Sequence, residues 1–173
     1  MGLLNTGFAM SFDSSTGVLG YLPPSGPAGS LSANILDPTS SSSGVFGGDV
    51  LALELNFDFN NAGFLVGTSN IPFGDLVLTN LSTCSQLNGL TLDQFLAIDN
   101  TALGGGATTC SIANLDAITA NVNASFEGGV VSSFADTNLA LPGSVATPEP
   151  SSLLLLGSGL AGLGFLRRRF LRA

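Results

Sequence analysis

The run Val50–Asn60 alternates strictly, with Leu51, Leu53, Leu55, Phe57 and Phe59 on one side and Ala52, Glu54, Asn56, Asp58 and Asn60 on the other. Successive side chains of a strand point to opposite faces, so this pattern predicts a strand with one buried and one wet face. Shorter runs of the same kind surround it. Phe8, Met10 and Phe12 alternate with Ala9 and Ser11, Asp13–Gly17 supplies turn residues and Val18–Leu22 resumes, which together read as a hairpin. Leu31, Ala33 and Ile35 alternate with Ser32 and Asn34 until Asp37-Pro38 stops the run, and Ser40–Gly44 is a low-complexity loop. Short runs at Gly63–Thr68 and Gly74–Leu81 follow, and Val130–Ala135 reads as a late strand. Turn-punctuated short strands of this kind predict a β-sandwich.

Two helices interrupt the strands. Thr91-Leu-Asp-Gln94 fits a capping box, in which the threonine hydroxyl and the glutamine amide satisfy orphan amides of the first turn. Leu92, Phe95, Leu96 and Leu103 then share one side, and Gly104–Gly106 ends the helix. Ser111 caps a second helix whose apolar positions Ile112, Leu115, Ile118, Val122 and Phe126 recur every three or four residues until Gly128-Gly129. The expected fold is therefore mainly β with a small helical insertion, Leu92–Ala102 and Ile112–Phe126, packed on one β-rich domain over residues 1–140. Its expected core includes Leu53, Leu55, Phe57, Leu78, Phe95, Leu96, Leu115, Ile118 and Val122.

Charge closes several function classes. All four basic residues, Arg167, Arg168, Arg169 and Arg172, fall in the last seven positions, so residues 1–166 hold twelve carboxylates and no cation. A nucleic-acid partner needs phosphate neutralisation by lysine or arginine, which excludes that class. Without histidine there is no Ser-His-Asp triad, no histidine-ligated zinc and no imidazole base. Charged residues are 9% of the chain, against about 25% in ordinary soluble domains, so Ser, Thr, Asn and Gly carry the surface.

The residues that bear chemistry are few. Cys84 and Cys110 are the two cysteines, each shortly before a helix, and an even count in an exported protein favours a disulfide over two buried thiols. Such a bridge would stabilise by roughly 3.5 kcal/mol in the chain-entropy description. Glycoside hydrolysis needs two carboxyl groups, and Glu54, Asp58, Glu127 and Asp136 are candidates by type. Glu54 and Asp58 are expected on the wet face of the long strand, where acids serve solubility. No tryptophan and a single tyrosine, Tyr21, leave no evident platform for stacking sugars. Asn56-x-Asp58-x-Asn60 offers alternate oxygen ligands for calcium but lacks the glycine and distal glutamate of a calcium loop, so no catalytic, metal or cofactor site is assigned.

The C-terminus carries the clearest local pattern. Pro148-Glu149-Pro150 precedes an uncharged stretch, Ser151–Leu166, and Arg167-Arg168-Arg169 ends it. As a helix that stretch would span roughly 24 Å, a marginal crossing of a hydrocarbon core of ~30 Å aided by snorkelling arginines. The alternative, a buried core helix, would show a polar stripe, which this segment lacks. The positive-inside bias puts the arginines in the cytoplasm and everything before Pro148 across the membrane.

These three parts, in this order and at this spacing, resemble the PEP-CTERM sorting signal of Gram-negative bacteria. The resemblance implies a partner, the membrane protease-like exosortase, which reads and processes the tail. It implies an exported protein, anchored first in the inner membrane and then released to the cell surface or to an exopolysaccharide and biofilm matrix. The same tail is sometimes labelled the C-terminal domain of ice-binding proteins, a label that implies no ice binding here, since no T-x-T array occurs. Residues 141–150 are expected to be an extended linker bearing the sorting motif, because Pro142, Pro148 and Pro150 each lack an amide donor, and residues 151–173 to be the membrane helix with its arginine cluster.

Met1–Gly7 shows neither a basic region nor an apolar stretch of signal-peptide type, so the true start is expected upstream; a cytoplasmic tail-anchored protein is the alternative. Three functions are compatible with this reading. The first is a non-enzymatic structural or interaction component of the extracellular polymer layer. The second is a calcium-assisted carbohydrate-binding or adhesive module, and the third is a secreted hydrolase.

Overall fold

Helix α2 (Gly44–Asn61) occupies the stretch whose alternation predicts a strand. The computed structural model, which describes residues 1–65 and 71–143, shows how both periods fit one sequence. Phe46, Val50, Leu53 and Phe57 are buried, at steps of four, three and four, and form the apolar stripe of a helix. Reading outward from Leu51 hides that stripe because leucine and phenylalanine are dense enough to satisfy a two-residue period as well. Composition breaks the tie, since Leu, Ala and Glu favour helices and only Val45 and Val50 of the helix are β-branched. The side chain that only the strand pattern needed inside, Phe59, is 47% exposed.

The other expected strands are corrected in the same direction. Asp13–Gly17 is the start of helix α1 (Ser15–Tyr21), where the Ser14 hydroxyl accepts from the Gly17 amide at 3.1 Å. A serine that caps a helix and a serine that makes a turn look alike in sequence. Val130–Ala135 runs into helix α5 (Ser133–Asn138), capped by Ser132, whose hydroxyl accepts from the Ala135 amide at 3.1 Å. The fold is therefore not mainly β, and no sandwich is present among the described residues. What remains of the sheet is two small pairs. Strand β1 (Met10–Ser11) lies parallel to β2 (Ile35–Leu36), and β3 (Val77–Leu78) lies antiparallel to β4 (Leu139–Ala140). Of the run Gly63–Thr68, residues 63–65 form turns and bends, and the rest falls outside the described residues.

Two helices form where local chemistry specifies them. Helix α3 (Leu92–Leu103) has both halves of its capping box, with the Gln94 amide donating to Thr91 Oγ1 at 3.3 Å and the Thr91 amide donating to Gln94 Oε1 at 3.0 Å. Helix α4 (Ile112–Asn123) begins at Ser111, whose hydroxyl accepts from the Asn114 amide at 3.3 Å. It stops short of the expected Phe126. The chain tightens into a 3-10 segment, Ala124–Gly129, in which Phe126 leaves helical geometry and Gly128 and Gly129 take positive φ.

Helices α2, α3 and α4 pack against one another, and the core lies between them. Leu53, Phe57, Leu78, Phe95, Leu115, Ile118 and Val122 of the expected core are buried, while Leu55 and Leu96 are half-buried. Gly48 lets Pro24 sit directly on α2, where a Cβ would collide with the proline ring. Cys84 and Cys110 form a disulfide with Cα atoms 5.7 Å apart, tying the segment before α3 to the start of α4. Residues Met1–Pro142 form one compact unit.

Candidate functional site

Where the three packed helices meet, each contributes an aspartate. On α3 the buried side is Leu92, Phe95, Asp99, Ala102 and Leu103, so Asp99 holds a position the helical period reserves for an apolar residue. It is fully buried, at 0% exposure. Thr119 of α4 donates its hydroxyl to Asp99 Oδ2 at 2.7 Å, with the Leu115 carbonyl as a second acceptor at 2.8 Å. Asp99 Oδ1 is buried without a hydrogen-bond partner, and so is Asp116 Oδ1 one turn before Thr119. Asp49, in the second turn of α2, stands beside Asp116.

The electrostatics follow from burial without a counter-charge. Desolvation raises Asp99 well above the ordinary carboxylate range; the hydroxyl of Thr119 opposes the rise and the charges of Asp116 and Asp49 add to it. Desolvation first, and the neighbouring Asp116 second, push Asp49 up to about 6. Asp116 is raised by burial and pulled back by its hydrogen bond with Asp49. A second polar level lies seven residues further along both helices. There Asn56 donates to Asn123 Oδ1 at 3.1 Å, and Asn123 donates to the Asp49 carbonyl at 2.9 Å.

Of the acids singled out by type, Glu54 and Asp58 stand one turn apart on α2, while Glu127 and Asp136 lie on other segments. Glu54 accepts from Asn100 Nδ2 at 2.9 Å and lies 3.7 Å from the Met1 ammonium, whereas Asp58, Glu127 and Asp136 are exposed on separate turns. Asn56, Asp58 and Asn60 lie on a helix, where Asn56 and Asn60 share one side and Asp58 is turned away from them. The Asn60 amide group is committed to the Leu65 carbonyl and the Phe73 amide. Tyr21 is buried, with its hydroxyl 2.8 Å from Ser41 Oγ and 3.3 Å from Ser43 Oγ. Among the described residues no three His, Cys, Asp or Glu side chains are grouped to hold a metal ion. The aspartate junction was missed because the apolar stripe of α3 was assembled from apolar letters alone; an acid at i+4 from Phe95 and i−4 from Leu103 was its signal.

Pro148, Glu149, Pro150, the expected membrane helix Ser151–Leu166 and Arg167, Arg168 and Arg169 lie outside the described residues. No helix among the described residues is long and apolar enough to cross a membrane. No curated protein and no solved structure matches the chain. The family model of the PEP-CTERM protein-sorting motif does match, over residues 146–169, and the C-terminal tail of this chain is a PEP-CTERM sorting motif.

Proposed function

We propose that the chain is an exported protein whose tail is processed by an exosortase, leaving the body of the chain as a non-enzymatic structural or interaction component of the exopolysaccharide or biofilm layer. The observation that carries this reading is the sorting motif at residues 146–169. The parts of the motif have separate physical roles. Proline supplies no amide donor to a helix, so Pro148 and Pro150 suit a strip that a protease must reach. The apolar stretch holds the chain at the inner membrane, and the arginines retain its cytoplasmic end until cleavage. The body suits release into water: it carries eleven acidic side chains and no basic one before the tail.

A C-terminal epitope tag tests the proposal. The tag is lost from the extracellular protein in a host with the sorting enzyme and kept in one without it. Retention in both hosts would make the segment a plain anchor. Changing Glu149 to Gln is expected to impair recognition by the enzyme, and changing the three arginines to alanine to weaken retention before cleavage.

A further inference from the structure

Three observations meet at one point in the body. A fully buried carboxylate, Asp99, has one hydroxyl donor and one orphaned oxygen. A second buried carboxylate oxygen, on Asp116, is orphaned in the same junction, and Asp49 faces it from α2. No lysine, arginine or histidine exists anywhere in residues 1–166 to neutralise them. A buried charge must be paired, hydrogen-bonded or removed. Among the described residues the one cation is the Met1 ammonium, which lies 3.7 Å from Glu54 and not at this junction, and the Thr119 hydroxyl has a single hydrogen to give.

We propose that the junction of α2, α3 and α4 is a proton-binding site, in which a proton replaces the missing cation and neutralises Asp99 against Asp49 and Asp116. The body is then held together more firmly at mildly acidic than at alkaline pH. The groups facing Asp99 are Asp49 from α2 and Asp116 and Thr119 from α4. Glu54 of α2 is engaged with Asn100, and Asp93 lies two turns back on α3 with its carboxylate against Gly74, close to Asp75. The Met1 ammonium lies against Glu54, away from the junction; at the junction itself the titratable side chains are all acidic, and ionising one raises the cost of ionising the next.

The sign follows from linkage. The folded chain keeps these protons to higher pH than the unfolded chain, in which aspartates ionise near the ordinary value of 3.8. It therefore binds more protons across the interval between the two values. The stabilisation is complete below the unfolded value and is lost as pH rises through the folded values, the first of them near 6 at Asp49.

The test is thermal unfolding of the full chain in non-ionic detergent, followed by circular dichroism from mildly acidic to mildly alkaline pH. It is run in about 1 M sodium chloride, where the screening length is about 3 Å and repulsion between exposed acids is suppressed. The wild type is expected to lose about 4 °C or more across this range. Asp99→Asn, a neutral isostere of the protonated acid, should keep the loss near pH 6 that belongs to Asp49, lose the part of the slope above it, and melt above the wild type at alkaline pH. Asp58→Asn, which removes the same charge from an exposed position, should keep the wild-type slope. Parallel slopes for the wild type and Asp99→Asn would overturn the proposal. So would an alkaline melting temperature restored by millimolar calcium and lowered by EDTA in the wild type alone, which would make the neutralising species a metal cation. If Asp99→Asn does not fold, carbon-13 titration of the wild-type Asp99 carboxyl decides. Ionisation well above the ordinary carboxylate range supports the proposal, and ionisation within it sinks it.

Discussion

Every carboxylate except Glu149 lies in Met1–Pro142, while every basic side chain lies in the last seven residues. The body and the tail therefore face opposite electrostatic problems. The tail places like charges together at one end of the sequence. The body gathers like charges between helices, where two carboxylate oxygens, on Asp99 and Asp116, are buried without a hydrogen-bond partner. The difference teaches that the same scarcity of charge means two things. In the tail it is the message, read in order along the chain; in the body it is a packing condition visible only in three dimensions.

That separation makes predictions. The largest effect belongs to the core of the body. Phe95 is fully buried at the centre of the packed helices, so Phe95→Ala should cost about 3–5 kcal/mol in urea unfolding. The tail variants that disturb sorting should leave the unfolding midpoint of the body unchanged. A sorting variant that also melted the body would break the division between the two regions.

The next effect is the disulfide. Replacing Cys84 and Cys110 together by serine should cost roughly 3.5 kcal/mol, by restoring entropy to the unfolded chain over a loop that spans 26 residues of separation. Mass spectrometry of the oxidised protein should find two hydrogens missing and no thiol free for alkylation. A smaller effect sharpens the role of local signals. Thr91→Ala removes the capping hydroxyl of α3 and should cost about 1 kcal/mol. Asp58→Asn, on the exposed side of α2, should stay within about 0.5 kcal/mol of the wild type.

How much of this was legible in the sequence depended on the range of the interaction. The tail was legible because its meaning lies in residue types at fixed order. Helices α3 and α4 were legible because Thr91, Gln94 and Ser111 act on amides within three residues of themselves. Helix α2 was not, since Leu51, Leu53, Leu55, Phe57 and Phe59 satisfy a strand's period while Phe46, Val50, Leu53 and Phe57 satisfy a helix's. Composition leans towards the helix, and packing against α3 and α4 completes the choice. The surviving strands are two residues each and pair across long separations, Met10 with Ile35 and Leu78 with Leu139, which no local pattern marks. The pairing of Cys84 with Cys110 followed from there being two cysteines. The Asp99 junction required the one polar letter in an apolar stripe to be counted as part of it.

The most direct test of the division between sorted tail and released body is the intact mass of the extracellular protein, compared between hosts that differ only in the sorting enzyme. With the enzyme, the mass should correspond to a chain ending near Pro148-Glu149-Pro150, oxidised at Cys84 and Cys110, and without the enzyme the apolar stretch and arginines should remain attached in the membrane fraction. An extracellular protein that still carries Arg167–Arg169 when the enzyme is present would contradict it.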